Sequence, residues 1–211
     1  MTDGRSAPPR RTRAEIRAAT HRALLDAAER CFLDVGYPGA TLDAIAAQAG
    51  FTKGAVYWHF RSKEALFLNL LAEGMKRNRE EADRILTLLA KKPRRLDEEF
   101  NKWIDSFDAR NNVPLLALEL DLESRRNPSI AALLDEVVRK QHTAMSVIIT
   151  RYFEVMERTP SMPVEEMTKT IIALSKAVAL ARQTRHSADL TNAKVMRLLL
   201  GMPLAEPALA K

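Results

Sequence analysis

Within one eight-residue stretch, Thr52, Lys53, Gly54, Tyr57, Trp58 and His59 have the types and spacing to grip a polyanion without covalent chemistry. Lys53 falls in the first turn of a short helix read over residues 53–60, where the helix macrodipole favours anions over cations. Most other candidate helix starts carry an acid there: Asp43, Glu64, and Glu165 with Glu166. A first turn with free N–H groups, a lysine and no carboxylate of its own suits an anion arriving from outside, such as a phosphate. Gly54 costs a helix about 1 kcal/mol against alanine, so its place implies something that must approach the backbone closely. At 100° per residue, Lys53, Gly54, Tyr57 and Trp58 fan across one side while Val56 turns toward the scaffold. Tyr57 and Trp58 are then either core of a small helical domain or exposed aromatics awaiting a partner, for which DNA is the natural one. Phe60, four residues after Val56, reads as core.

The elements that must position these residues are also legible. Thr41 caps a helix over 42–49, in which Leu42, Ile45, Ala46 and Ala49 recur at i, i+3, i+4, i+7. Gly50 closes that helix in the left-handed conformation, Thr52 caps the next one, and Ser62 caps a third. Two short helices around a tight turn form a helix-turn-helix, whose first helix braces and whose second lies in the major groove.

The wording TLDAIAAQAGFTKGAVYWHFRSKEALF, within residues 13–71, resembles the DNA-binding domain of the TetR family of one-component transcriptional regulators, and GAVYWHF is closest to its AcrR-like group. That resemblance implies phosphate contacts from Thr41 and Thr52, and groove or groove-wall contacts from Lys53 and Gly54. It implies phosphate, sugar or thymine-methyl contacts from Tyr57, Trp58 and His59, and a backbone contact from Lys63. His59 as a structural histidine and Lys63 as a solvated surface charge are the competing readings. The resemblance further implies a homodimer on double-stranded operator DNA. Its four-helix interface would be built from residues 164–187 and 191–200, carrying Ile171, Leu174, Val178, Ala181, Val195, Leu198 and Leu199. Many AcrR-like proteins resemble repressors of multidrug efflux operons, which sets the expectation of a repressor released from a palindromic operator by a small-molecule effector.

Charge agrees with a nucleic-acid module. The chain is 211 residues with a net charge of +6, and through Lys63 it holds ten Lys and Arg against six acids. Five arginines lie in the first 17 residues, the composition of a flexible basic arm over residues 1–15 or of a solubilising tail. No apolar run follows them as in a signal peptide, and no stretch has the length of a membrane span. The single cysteine, Cys31, excludes an internal disulfide, fits a reducing cytoplasm and reads as core.

The remaining pattern is helical, giving an all-α chain. A three-helix helix-turn-helix DNA-binding domain over 16–61 precedes a helical ligand-binding and dimerisation domain over 62–201 and a tail over 202–211. Residues 115–125 carry leucines at 116, 118, 120 and 122, the period of a strand, but helix-forming leucine and glutamate and the lack of a partner strand favour a helix. Trp103, Phe107, Leu118, Glu119, Leu122 and Met145 are the candidates for lining an effector cavity, with Glu119 favouring a cationic ligand. No glycine-rich phosphate loop, no Ser/His/Asp or Cys/His set and no histidines at ligand spacing occur, so neither an enzyme, a cofactor nor a metal is expected. The alternative to a ligand-responsive repressor is a chromosome-organising protein of the same fold without an inducer.

Overall fold

The computed structural model describes residues 12–91, 101–105, 112–183 and 190–202. Most of the expected basic arm, Phe107 and most of the expected tail lie outside the described residues. Every regular element among the described residues is a helix. The chain divides into two compact units, Met1–Leu70 and Leu71–Lys211.

The first unit holds α1 (Arg13–Gly39), α2 (Leu42–Ala49), α3 (Lys53–His59) and the opening of α4 (Lys63–Lys91). Thr12 starts α1 with a capping box: its hydroxyl accepts from Glu15 N–H at 3.2 Å while the Glu15 carboxylate accepts from Thr12 N–H at 2.7 Å. Gly36, at φ 71° and ψ 169°, breaks the helix, and a single turn containing Pro38 follows. Val35, just before the break, is exposed, while Tyr37, just after it, is buried. The reason is the Gly36 kink, which swings Tyr37 inward to stack on Phe32 at 5.8 Å and meet the edge of Phe67 at 5.2 Å. Cys31 is buried beside these rings, and burial pushes its thiol above the ordinary value.

α4 is one continuous helix of 29 residues. The second unit contains the rest of α4, a helical stretch at 101–105, α5 (Val113–Ser124), α6 (Pro128–Val155), α7 (Val164–Ala181) and α8 (Asn192–Leu199). α5 packs on α6 and α7, α6 on α7, and α7 on α8. Leu86, Ile104, Tyr152, Met167 and Met196 are among the residues of its buried core. The Arg197 guanidinium is buried in this unit, donating to Asn101 Oδ1 at 3.0 Å and Asp105 Oδ1 at 2.8 Å, so its charge is compensated.

α5 settles the strand-or-helix ambiguity, because a helix cannot turn four alternate leucines the same way. Val113, Leu116, Ala117 and Leu120 face inward at i, i+3, i+4, i+7, while Leu122 is exposed.

Two helices leave an apolar strip uncovered. On α7, Ala173, Leu174, Ala177 and Leu180 are exposed, and on α8 so is Leu198. Ile171, Val178 and Val195, expected to face a second subunit, are instead buried in the core of their own. At 3.6 residues per turn Ala173, Ala177 and Leu180 turn away from Ile171 and Val178, while Leu174 and Leu198 border the buried face.

Candidate DNA interface and buried cavity

The site is built by two short helices with matching caps. Thr41 accepts from Ala44 N–H at 3.1 Å, and Thr52 accepts from Ala55 N–H at 3.4 Å. Gly50 ends α2 at φ 74° and ψ 26°, the left-handed turn that lets α3 start two residues later. Val56 anchors α3 with no exposed surface, and Phe60 is buried just after it.

The outward side of α3 carries Lys53, Gly54, Tyr57 and Trp58. Tyr57 is 47 % exposed and Trp58 65 % exposed, which rules out the core alternative for both. The Lys53 ammonium lies 5.8 Å from the centre of the Tyr57 ring, and the Arg17 guanidinium of α1 lies 4.7 Å from that of Trp58. The edge of Trp58 meets His59 at 4.8 Å. His59 is half-buried, 5.6 Å from His21, and burial first, then His21 and Arg17, holds its imidazole below the ordinary histidine value. A neutral ring can still donate one N–H.

Three groups absent from the sequence expectations enter the site. Arg17 and His21 come from α1, 41 and 38 positions before the side chains they meet, a separation no local spacing rule reaches. The third is Asp43, in the first turn of α2, whose carboxylate accepts from Lys53 Nζ at 2.7 Å and holds that ammonium above the ordinary lysine value. The first turn of α3 therefore lacks an acid of its own, yet its lysine has an internal counter-anion. Both side chains are more than half exposed, so the pair is weak and open to displacement. Asp43→Asn is expected to raise affinity for every duplex and to steepen log affinity against log salt by about one unit per subunit, since Lys53 then meets phosphate uncompensated. Filter binding at several salt concentrations checks this. A loss confined to one sequence would instead show Asp43 accepting from a base.

Lys63, expected either to contact the DNA backbone or to be a solvated charge, also has partners within the chain. Its ammonium donates to the carbonyls of Tyr37 at 2.8 Å and Ala40 at 3.0 Å and sits 4.3 Å from the Tyr37 ring centre. It therefore ties the turn after Gly36 to the start of α4, and a phosphate contact would have to use its third N–H. Beside it, the Tyr37 hydroxyl donates to Glu64 at 2.9 Å. Hydrogen bonds from its own backbone N–H, then Ser62 and Tyr37, with the nearby Lys63 charge, hold Glu64 below the ordinary carboxylate range.

Gly54 has open space around it. A Cβ added there would meet only Thr52 Oγ1, at 3.9 Å, an ordinary contact. Nothing within the chain demands glycine, so Gly54→Ala should raise stability by up to about 1 kcal/mol in urea unfolding. The same change is expected to lower DNA affinity at least about tenfold if a DNA backbone approaches α3 here. Unchanged affinity in the variant would show that nothing docks against this turn.

The second unit holds a partly open cavity of about 70 Å³. α4 contributes Met75 and Arg79, α5 contributes Val113 and Ala117, α6 Met145 and Ile148, and α7 Ile172 and Lys176, with Trp103 and Met196 completing the wall. Of the expected lining residues, Trp103 and Met145 are here. Leu118 lines a separate open cleft with His142 and Leu180, Glu119 is half-buried and lines neither, and Leu122 points to solvent. The inward face of α5 is thus the one carrying Val113 and Ala117, not that of Leu118 and Leu122. Among the described residues no group of His, Cys, Asp and Glu could hold a metal, and no helix is long and apolar enough to cross a membrane.

Comparison with known proteins places the first unit. Residues 24–70 match the family described as "Bacterial regulatory proteins, tetR family". The chain is 48 % identical over 63 residues to the HTH-type transcriptional regulator TtgW of Pseudomonas putida, covering 30 % of this chain and 46 % of that protein. It is 47 % identical over 62 residues to the HTH-type transcriptional repressor BepR of Brucella suis, covering 29 % of each. The chain thus spans less than half the length of these relatives. Solved structures extend the likeness of fold. NemR of E. coli in its reduced form gives a TM-score of 0.63 at 18 % identity, over 88 % of this chain and 100 % of that one. A fatty acid degradation regulator of Bacillus halodurans also gives 0.63 at 18 % identity, over 86 % and 96 %.

Proposed function

The chain belongs to the TetR family of transcriptional regulators through its residues 24–70, and from that premise we propose that it is a ligand-released repressor. It is a regulator and not an enzyme. The observation that carries the DNA-binding part is the exposed side of α3, where Lys53, Gly54, Tyr57 and Trp58 stand together on a helix held by buried Val56 and Phe60. Two large exposed aromatics beside cations and an open glycine suit a groove wall of phosphate, sugar and base edge. Thr41 and Thr52, whose hydroxyls cap their helices, retain an O–H to donate to phosphate. Such a protein works in the cytoplasm, where the single cysteine stays reduced.

One α3 reads too few base pairs to find an operator, so two copies act as a homodimer on a palindrome, with recognition helices about 34 Å apart or a multiple of that. The strip of Ala173, Leu174, Ala177, Leu180 and Leu198 is the surface through which the copies meet. A small apolar or amphipathic molecule in the cavity releases the DNA. It rests against Met75 and Arg79 of α4, the helix whose opening residues belong to the DNA-binding unit, and so biases where that helix carries α3. The genes we assign to it are those of an efflux operon, since a repressor released by a compound is matched to genes that expel it.

The test is reciprocity. An inducer that weakens operator binding about 100-fold carries a coupling of about 2.7 kcal/mol, and operator must weaken that inducer's binding by the same factor. Titration of candidate efflux substrates with and without operator is expected to show that difference. Equal binding in both cases excludes a compound as inducer. If none binds, the reading gives way to a chromosome-organising protein of the same fold.

A further inference from the structure

The cavity of the second unit has a charge pattern that runs against the cationic effector expected from Glu119. Its walls are mostly apolar and deformable, with Met75, Met145 and Met196 among them, and no carboxylate lines it among the described residues. The charged groups that line it among the described residues are both cations, Arg79 and Lys176. Lys176 is held by Asp121, while Arg79 has no ion-pair partner among the described residues. Arg79, Ala144 and Ile148 also line the open groove beside the cavity, which puts Arg79 at the boundary between cavity and solvent. In that groove Asp83 is taken by Arg151 and Glu136 by Lys140. The charges left over there are Arg79 and Arg139 against Glu80.

A head group entering this cavity must either shed its charge or find an opposite one, because an unpaired ion in an apolar site is strongly disfavoured. A cation would meet Arg79 and Lys176 with no acid among the described wall residues to receive it. A carboxylate would meet the fork of Arg79, which holds two oxygens at once in a charge-assisted pair. Resting on the ligand-responsive reading above, we propose that the cavity takes an amphiphile with an apolar body and one anionic head, and that Arg79 captures the head at the mouth. The apolar body displaces water from the Met75, Trp103 and Ile148 walls, and the head stays within reach of solvent.

Three probes of one chain length separate the possibilities: dodecanoate, dodecanol and dodecyltrimethylammonium, each used below its micelle concentration. The chain has two tryptophans, so a Trp58→Phe background leaves Trp103 of the cavity wall as the sole fluorescent reporter. Dodecanoate is expected to perturb Trp103 with at least tenfold higher affinity than dodecanol, and the ammonium to bind weakest. Arg79→Gln should remove the preference for dodecanoate over dodecanol while leaving dodecanol unchanged, and Arg79→Lys should retain most of it. Equal or tighter binding of the ammonium, or a carboxylate preference that survives Arg79→Gln, overturns the assignment of the head group and leaves the cavity as a ligand site. If none of the three reaches Trp103, the cavity is not the effector site, and the ligand-responsive reading fails with it.

Discussion

Ala177→Glu is expected to yield a monomer whose operator affinity is lower by about 10²–10⁴-fold, the advantage that two linked half-site contacts hold over one. Ala177 lies in the exposed strip of α7, flanked by Ala173, Leu174 and Leu180. In a two-fold interface the same patch faces itself, so one substitution places two carboxylates in the buried centre. Each would be desolvated without a partner, a cost no rim contact offsets. The subunit itself should keep its fold, because Ala177 is exposed and turns away from Ile171 and Val178, which are buried in the core. Sedimentation equilibrium gives the mass, and circular dichroism gives the helix content. A dimer that persists in the variant would move the interface elsewhere on the molecule.

Tyr57→Ala should weaken operator binding by roughly 1–3 kcal/mol per half-site, which across two half-sites is at least about a 30-fold loss. Trp58→Ala should act in the same range, with an added effect because Arg17 loses the ring it rests on. Both side chains are exposed in the free protein, so thermal unfolding of either variant should match the parent within about 0.5 kcal/mol. The combination is what identifies a recognition surface, since a core residue would lose stability and a spectator would lose nothing. Full affinity in the Tyr57 variant, with its fold intact, would show that another face of the first unit meets DNA.

What could be read from the sequence was what short-range rules govern. Thr41, Gly50 and Thr52 each act within three or four residues, so the bounds of α2 and α3 followed from capping alone. The exposure of Tyr57 and Trp58 followed from the phase of α3 against buried Val56. What stayed hidden was set by contacts between distant positions. Asp43 reaches Lys53 across ten residues, Lys63 reaches Tyr37 across 26, and Arg17 meets Trp58 from the far end of α1. Neither reading of Lys63, as a DNA-backbone contact or as a solvated charge, includes these two carbonyls, because nothing local announces that Gly36 turns them toward it. Leu118 and Leu122, among the expected cavity residues, do not line the cavity for a related reason. Which face of a nearly all-apolar helix turns inward is decided by its neighbours, and here they select Val113 and Ala117 over Leu118 and Leu122.

The claim that two copies of α3 read DNA as a pair is tested most directly by selecting bound sequences from a randomised duplex library. The expected product is an inverted repeat, with half-site centres about 10–10.5 base pairs apart or a multiple of that, whose enrichment disappears in the Tyr57→Ala protein. Binding with no enriched sequence, or one enriched half-site without its inverted partner, would contradict it.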